Sequence, residues 1–182
     1  MRAVVVYESV FGNTHEVAEA VAEGLGEAAD VAVHSVDGAT AEALAGAELV
    51  VVGGPTHVHG MTSSQSRKSG IETAQKKGED VDEAATGPGL RSWFHELPKV
   101  SGVSGAAFDT RMSGPKIFTG SAAKGIARRL RHHGYDLVAD PESFLVKEAE
   151  GPLSPGERER ARDWGASLAA GRVLVTRHLS GA

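Results

Sequence analysis

Near its start the chain runs Val4-Val5-Val6-Tyr7 and then Glu8-Ser9-Val10-Phe11-Gly12-Asn13-Thr14, and this junction constrains the fold more than any other stretch. A β-branched run ending in an aromatic residue suits a buried strand, and from Thr14 onward the apolar residues fall at helical spacing. The turn between them therefore lies at the carboxyl end of a strand and the amino end of a helix. First-turn amides have no intrahelical acceptor and sit at the positive end of the helix dipole, so such a turn can hold an anion without any lysine. Ser9, Asn13 and Thr14 add side-chain donors, and Gly12 permits close backbone approach or a positive φ. The spelling matches neither G-x-x-x-x-G-K-[ST] nor G-x-G-x-x-G, which excludes two common phosphate loops. Taken alone, the turn reads equally well as an ordinary connection capped by Asn13 or Ser9.

The alternation of strand and helix continues along the chain. Val17, Val21, Leu25 and Ala28 share one face of a helix over 14–28, and Glu16, Glu19, Glu23 and Glu27 lie mostly outside it. His15, in the first turn, reads as solvent-facing or phosphate-adjacent. Residues 30–36 predict a second strand, 40–45 a short helix, and 47–54 an apolar third strand of the kind covered on both faces. After it comes Gly54-Pro55-Thr56-His57-Val58-His59-Gly60-Met61, in which an extended backbone would put both imidazoles on one side. A metal pair there lacks a nearby third ligand, so an imidazole bordering a bound cofactor is the better reading.

Residues 62–87 are polar and longer than a usual connection, with a short helix expected near 71–77; such an insertion is either a lid or a mobile loop. Leu90, Trp93, Phe94 and Leu97 form the core stripe of a helix over 89–97. Residues 103–108 predict a fourth strand, followed by a loop over Asp109-Thr110-Arg111-Met112-Ser113-Gly114-Pro115. Ser121 precedes a helix with Ala123, Ile126, Ala127 and Leu130 inward and Lys124, Arg128, Arg129 and Arg131 outward; cations in its later turns suit the dipole without any partner. A fifth strand over 135–146 is expected in two pieces, because Pro141 fits an edge or a bulge. Ser154-Pro155-Gly156-Glu157 reads as a capping box opening a last helix that buries Ala161, Trp164 and Leu168 and closes at Gly171. The tail, 172–182, has strand composition and no assigned place.

With 182 residues the chain has the length of one domain, 1–182, with enough apolar residues for a sizeable core. The absence of cysteine removes thiol catalysis, disulfides, cysteine-ligated metals and iron–sulfur clusters, so any redox chemistry must come from a cofactor that needs no thiolate. A net charge of -5 disfavours generic nucleic-acid binding. No apolar run approaches the ~18 residues of a membrane span and no signal peptide opens the chain, so the cytoplasm is the expected location.

These elements predict an α/β fold: a three-layer α/β/α sandwich around a doubly wound, five-stranded parallel sheet of order 2-1-3-4-5. In that order strands 1 and 3 are neighbours whose crossovers leave in opposite directions, and ligands bind at their carboxyl ends. Receiver domains of response regulators share the architecture, but they need an acidic cluster after strand one and an acceptor aspartate after strand three. Here Glu8 stands alone and Gly54 occupies the acceptor's place.

Ser9-x-x-Gly12-Asn13-Thr14 directly after an N-terminal strand resembles the FMN phosphate loop of the flavodoxin family. The order of the Gly54-Pro55-Thr56 and Asp109-to-Gly114 loops along the chain extends the resemblance over most of it. Glu8 and Phe11 depart from the commonest spelling, and Phe11 has no hydroxyl to give. The resemblance implies FMN as cofactor, with phosphate at Ser9, Val10, Phe11, Gly12, Asn13 and Thr14. It places the ring between Pro55, Thr56, His57, Val58, His59 and Gly60 on one side and Asp109, Thr110, Arg111, Met112 and Gly114 on the other. It also implies an electron carrier with no catalytic residues of its own, serving a reductase and an acceptor protein. Two alternatives stay open: a small FMN-dependent NAD(P)H:quinone-type oxidoreductase, and a flavin-free binding protein that keeps the fold. The last draws support from the lack of Trp, Tyr or Phe in either ring-flanking loop.

Overall fold

The computed structural model describes residues 1–57, 60–78, 80–114, 120–148 and 150–179, the last eight of these by backbone alone. Val58, His59 and the end of the tail, 180–182, lie outside the described residues.

The strands β1 (Arg2–Tyr7), β2 (Asp30–Ser35), β3 (Leu49–His57) and β5 (Ser104–Met112) are parallel, and β4 (Gly60–Met61) folds back antiparallel on the end of β3. The short strands β6 (Asp136–Leu137) and β7 (Glu142–Val146) both pair with β5, so the order is β2-β1-β3-β5-β6, with β7 continuing the same edge. Counted without the hairpin strand, this is the expected 2-1-3-4-5. Gly105 pairs with Leu137 and Phe108 with Glu142, so three steps on β5 match five on the edge. The two extra residues form the break around Pro141, where an edge position leaves its missing N–H harmless.

Side chains alternate between two faces. Val4, Val6, Val50 and Val52 pack against α4 (Leu90–Glu96) and α5 (Ala122–His132) through Trp93, Phe94, Ile126 and Leu130. Ala3, Val5, Val51 and Phe108 pack against α1 (Asn13–Gly26) and α6 (Glu157–Leu179) through Val17, Val21, Leu25 and Leu168. Burial on both faces explains why the central strands are continuous valine runs.

Several boundaries differ from the sequence reading. Strand β5 extends to Met112, so Asp109, Thr110, Arg111 and Met112 belong to a strand rather than a loop, because β7 supplies partners for them. The insertion holds a full helix, α3 (Ser64–Lys77), started by a capping box between Ser63 and Ser66 and ended at Gly78. Gly12, not Asn13 or Ser9, caps α1, with φ 84 in the left-handed region that glycine adopts without strain. The expected capping box at Ser154 does not form: the first helical amide bond of α6 is accepted by Gly156, and the Glu157 carboxylate accepts from the Leu145 amide at 2.6 Å. That helix also runs past Gly171 to Leu179, so the part of the tail without an assigned place is helical up to there.

Candidate functional site

The carboxyl ends of β1, β3 and β5 meet where the strand order reverses, the place where doubly wound sheets bind ligands. A cavity of about 520 Å³ opens there. Ser9, Val10, Phe11, Asn13, Thr14, Pro55, Thr56, His57, Thr110, Arg111 and Met112 line it, so residues from all three predicted segments share one space.

At the turn after β1, the Ser9 hydroxyl accepts the Gly12 amide at 3.1 Å, which leaves its proton for another acceptor. Glu16 is the first amide to close the helix, on the Gly12 carbonyl at 2.9 Å. The amides of Asn13, Thr14 and His15 therefore have no intrahelical acceptor. Thr14 and Thr110 share a hydrogen bond of 2.7 Å between buried hydroxyls, tying the helix start to β5. Asn13 donates its side-chain amide to the Glu150 carbonyl at 3.0 Å. His15 does not line the cavity: it stacks on Tyr7 with centroids 4.3 Å apart and meets Asp82 at 3.1 Å. Burial, helped by the Asp82 and Glu19 carboxylates, pushes the Tyr7 hydroxyl up to about 12.

Thr56 lines the cavity, but its hydroxyl faces α5, donating to Asp109 Oδ2 at 3.0 Å and accepting the Ala122 amide at 2.8 Å. Asp109 is fully buried and does not line the cavity; its Oδ2 also accepts from the Ser121 hydroxyl and the Ala123 amide, both at 2.8 Å. Arg111 is buried at the rim and donates to the carbonyls of Met112 at 3.3 Å and Gly114 at 3.1 Å, bracing its own turn. Met112 is half exposed, and Gly60 borders a separate groove.

Sequence reasoning missed the opposite wall. Thr62 and, from α3, Ser66, Arg67, Ser69, Gly70 and Thr73 face the cavity, with Val146 and Glu150 at its far side. The signal was present as hydroxyls at i, i+3 and i+7 over 66, 69 and 73, one face of a helix otherwise poor in apolar residues. Glu8 holds this wall in place. Buried beneath it, Glu8 accepts from the Thr62 hydroxyl and, at 2.8 Å, from the Leu90 amide, and lies 3.9 Å from Arg67. The far end of α3 is fastened by Lys77 to Glu150 at 2.7 Å, a hydrogen bond that holds the Glu150 carboxyl below its usual range.

The donor set suits a phosphorylated, flat ligand. Helix-terminal amides and a free hydroxyl proton stand at one end, further hydroxyls along one wall, and Pro55, Met112, Val10 and Phe11 supply apolar surface. Among the described residues no group of three or more His, Asp or Glu could hold a metal ion, and no helix is long and apolar enough to cross a membrane.

Comparison with known proteins agrees with this geometry. Residues 4–67 match the model of the flavodoxin domain family. The fold matches an archaeal flavodoxin at 24% identity and a TM-score of 0.62, covering 93% of this chain and 97% of that one. Flavodoxin 2 from Bacillus cereus matches at 17% identity and 0.65, covering 93% and 99%. A flavodoxin, WrbA-like protein from Agrobacterium tumefaciens matches at 24% and 0.56, covering 94% and 97%. No curated protein sequence matches the chain. Residues 4–67 thus match the flavodoxin domain family, and the chain as a whole has the flavodoxin-like fold.

Proposed function

We propose that this protein binds FMN in the cavity and carries electrons between a reductase and an acceptor protein. One observation carries the reading: the Ser9–Thr14 turn, the end of β3 and the end of β5 line a single cavity at the point where the strand order reverses. The free first-turn amides of α1 and the Ser9 hydroxyl would hold the phosphate, and Thr14 would fix the turn through Thr110. Pro55, Thr56 and His57 on one side and Thr110, Arg111 and Met112 on the other would flank the ring. Bound FMN supplies electron exchange that no side chain of this cysteine-free protein offers. The chain's own part is to bind and orient: Arg67 and Arg111 place positive charge on the cavity wall, and α3 narrows the path for water.

Absorbance of protein incubated with FMN and freed of unbound flavin tests the reading. Flavin absorbance should remain with the protein, and Ser9→Ala should reduce it. A protein that retains none would be the flavin-free binding protein instead. Alone, it should oxidise NADH and NADPH poorly and should accept electrons from a separate reductase. Rapid FMN-dependent NAD(P)H oxidation with a quinone would replace the carrier by the oxidoreductase.

A further inference from the structure

We propose that a groove beside the cavity docks an acidic segment of a partner protein. The groove, about 650 Å³, is bounded by β4, α4 and α5, and Arg91, Lys124, Arg128, Arg129 and His132 line it with no carboxylate among the described residues. In a chain of net charge -5 this is a local reversal of sign. Some cations elsewhere are neutralised, Arg158 by Glu23 and Arg160 by Glu142 and Glu157. Among the described residues, Arg91, Lys124, Arg128 and Arg129 form no ion pair with a carboxylate.

Two of the arginines are also held in place. Arg91 donates to the carbonyls of Thr62 at 2.8 Å and Met61 at 2.9 Å, and the Arg129 guanidinium lies 5.9 Å from the centre of the Phe94 ring. Clustered like charges repel one another, so an arrangement that fixes them together without counter-charge is organised for an anion from outside. The helix dipole favours cations on late α5, but it does not account for Arg91, which comes from another helix.

The spacing favours a protein segment over a nucleotide. Lys124, Arg128 and His132 repeat at i, i+4 and i+8, a row of about 12 Å along the helix. That row matches carboxylates repeated along an acidic helix or strand, and among the described residues no Phe, Tyr or Trp lines the groove for a base to stack on. The groove's strand β4 also adjoins the cavity wall, because Gly60 pairs with His57 and Met61 with Thr56. A segment bound there would bring its protein against the cavity mouth. Its role in electron transfer rests on the proposed function, whereas the binding itself does not.

Fluorescence anisotropy with a labelled deca-glutamate peptide, from about 20 to about 200 mM salt, tests the proposal on the full chain. The peptide should bind at low salt, and Lys124→Glu with Arg128→Glu, both exposed, should weaken binding by about tenfold or more. Lys68→Glu with Lys76→Glu, which makes the same change in net charge on α3, should leave most of the affinity. No binding, or equal loss in both variants, overturns the proposal. Displacement of the peptide by pyrophosphate, but not by sulfate at equal ionic strength, overturns it in favour of a small-anion site. A second measurement uses protein reduced with its flavin in place and ferricyanide as oxidant. The rate should fall with salt despite the negative net charge, and should rise with salt in the Lys124→Glu, Arg128→Glu variant. Peptide binding in a protein that takes up no FMN keeps the docking surface and removes the electron-carrier reading.

Discussion

The hydroxyls of Thr14 and Thr110 lie 2.7 Å apart, both shielded from solvent, and join the first turn of α1 to the strand that ends at the opposite side of the cavity. A pair like this fixes geometry more than it adds energy, because its net worth is about 1 kcal/mol while either hydroxyl left alone costs about 1–3 kcal/mol. Thr110→Val should therefore lower stability by about 1–3 kcal/mol in urea unfolding. It should also weaken FMN binding, although its own hydroxyl faces Thr14. Ser9→Ala should weaken binding by roughly 1.5–3 kcal/mol, if it removes a hydrogen bond to a charged phosphate. Unchanged affinity by titration calorimetry would remove the phosphate from this turn.

Glu8 gives the second expectation. Its two carboxylate oxygens hold Thr62 and the Leu90 amide, and through them both ends of the polar insertion. Glu8→Ala leaves the amide and the Arg67 charge without their buried partner, so stability should fall by about 2–4 kcal/mol. Amide exchange should quicken first in α3 rather than in the central strands. Uniform quickening would mean that Glu8 supports the whole sheet and not the wall.

A third concerns two glycines that face each other's helices. A Cβ on Gly24 would meet the Arg162 carbonyl at 1.9 Å, and one on Gly165 would meet the Val21 carbonyl at 2.2 Å. Alanine in place of glycine gains about 1 kcal/mol in helix propensity. Here either change must push α1 and α6 apart, which costs about 1–3 kcal/mol in a packed core. Gly24→Ala and Gly165→Ala should each lower the urea midpoint, and a rise in either would show that the helices part freely.

What the sequence made legible follows from local chemistry. Valine runs and helical spacing were enough for the order of the sheet, because each strand's character is written in its own residues. The split edge strand was visible through Pro141. Contacts between distant segments were not: Gly24 looks like a weak point in a helix until Arg162 is known to lie over it. Glu8 looked like a departure from a familiar spelling because its partners stand far along the chain. Likewise β5 seemed to end at Phe108, since Asp109 and Arg111 are poor strand residues until β7 pairs with them and α5 receives the aspartate. The wall formed by α3 was hidden for a related reason. A polar helix carries little hydrophobic signal, and its place over the cavity depends on Glu8, Lys77 and Asp82, whose amide reaches the Val10 carbonyl at 2.8 Å.

His133 gives a pH dependence. It is buried against Phe94, and burial, with His132, Arg129 and Lys99 adding to it, lowers its pKa below the ordinary 6.5. A folded-state pKa below the unfolded value means that the unfolded chain takes the proton first. The stability that His133 contributes is then present above pH about 6.5 and is lost as pH falls below it. His133→Phe should flatten this part of the profile, so wild type and variant should differ more in urea midpoint at pH 5 than at pH 7.5. A constant difference across that range would mean that His133 takes up its proton equally in the folded and unfolded states.

Arg111 carries the last expectation. The loops beside the ring contain no Trp, Tyr or Phe among the described residues, so FMN would forgo the roughly 0.5–1.5 kcal/mol that each stacked aromatic pair adds. It should bind less tightly than in a doubly stacked site. What the rim offers instead is charge. The Arg111 guanidinium lines the cavity, and its bonds to the Met112 and Gly114 carbonyls keep it from swinging out into solvent. A positive charge held beside a ring that gains negative charge on reduction would be worth on the order of 1–2 kcal/mol at the dielectric of a protein surface. That corresponds to a potential less negative by tens of millivolts. Arg111→Ala should shift the reduction potential downward by that amount, whereas Arg111→Lys, which keeps the charge and loses the fork of donors, should recover part of it. Measured stability separates the two roles, since bracing of the turn also disappears in the alanine variant. If potentiometry finds the reduction steps of Arg111→Ala where the wild type has them, Arg111 braces the turn and does not tune the cofactor.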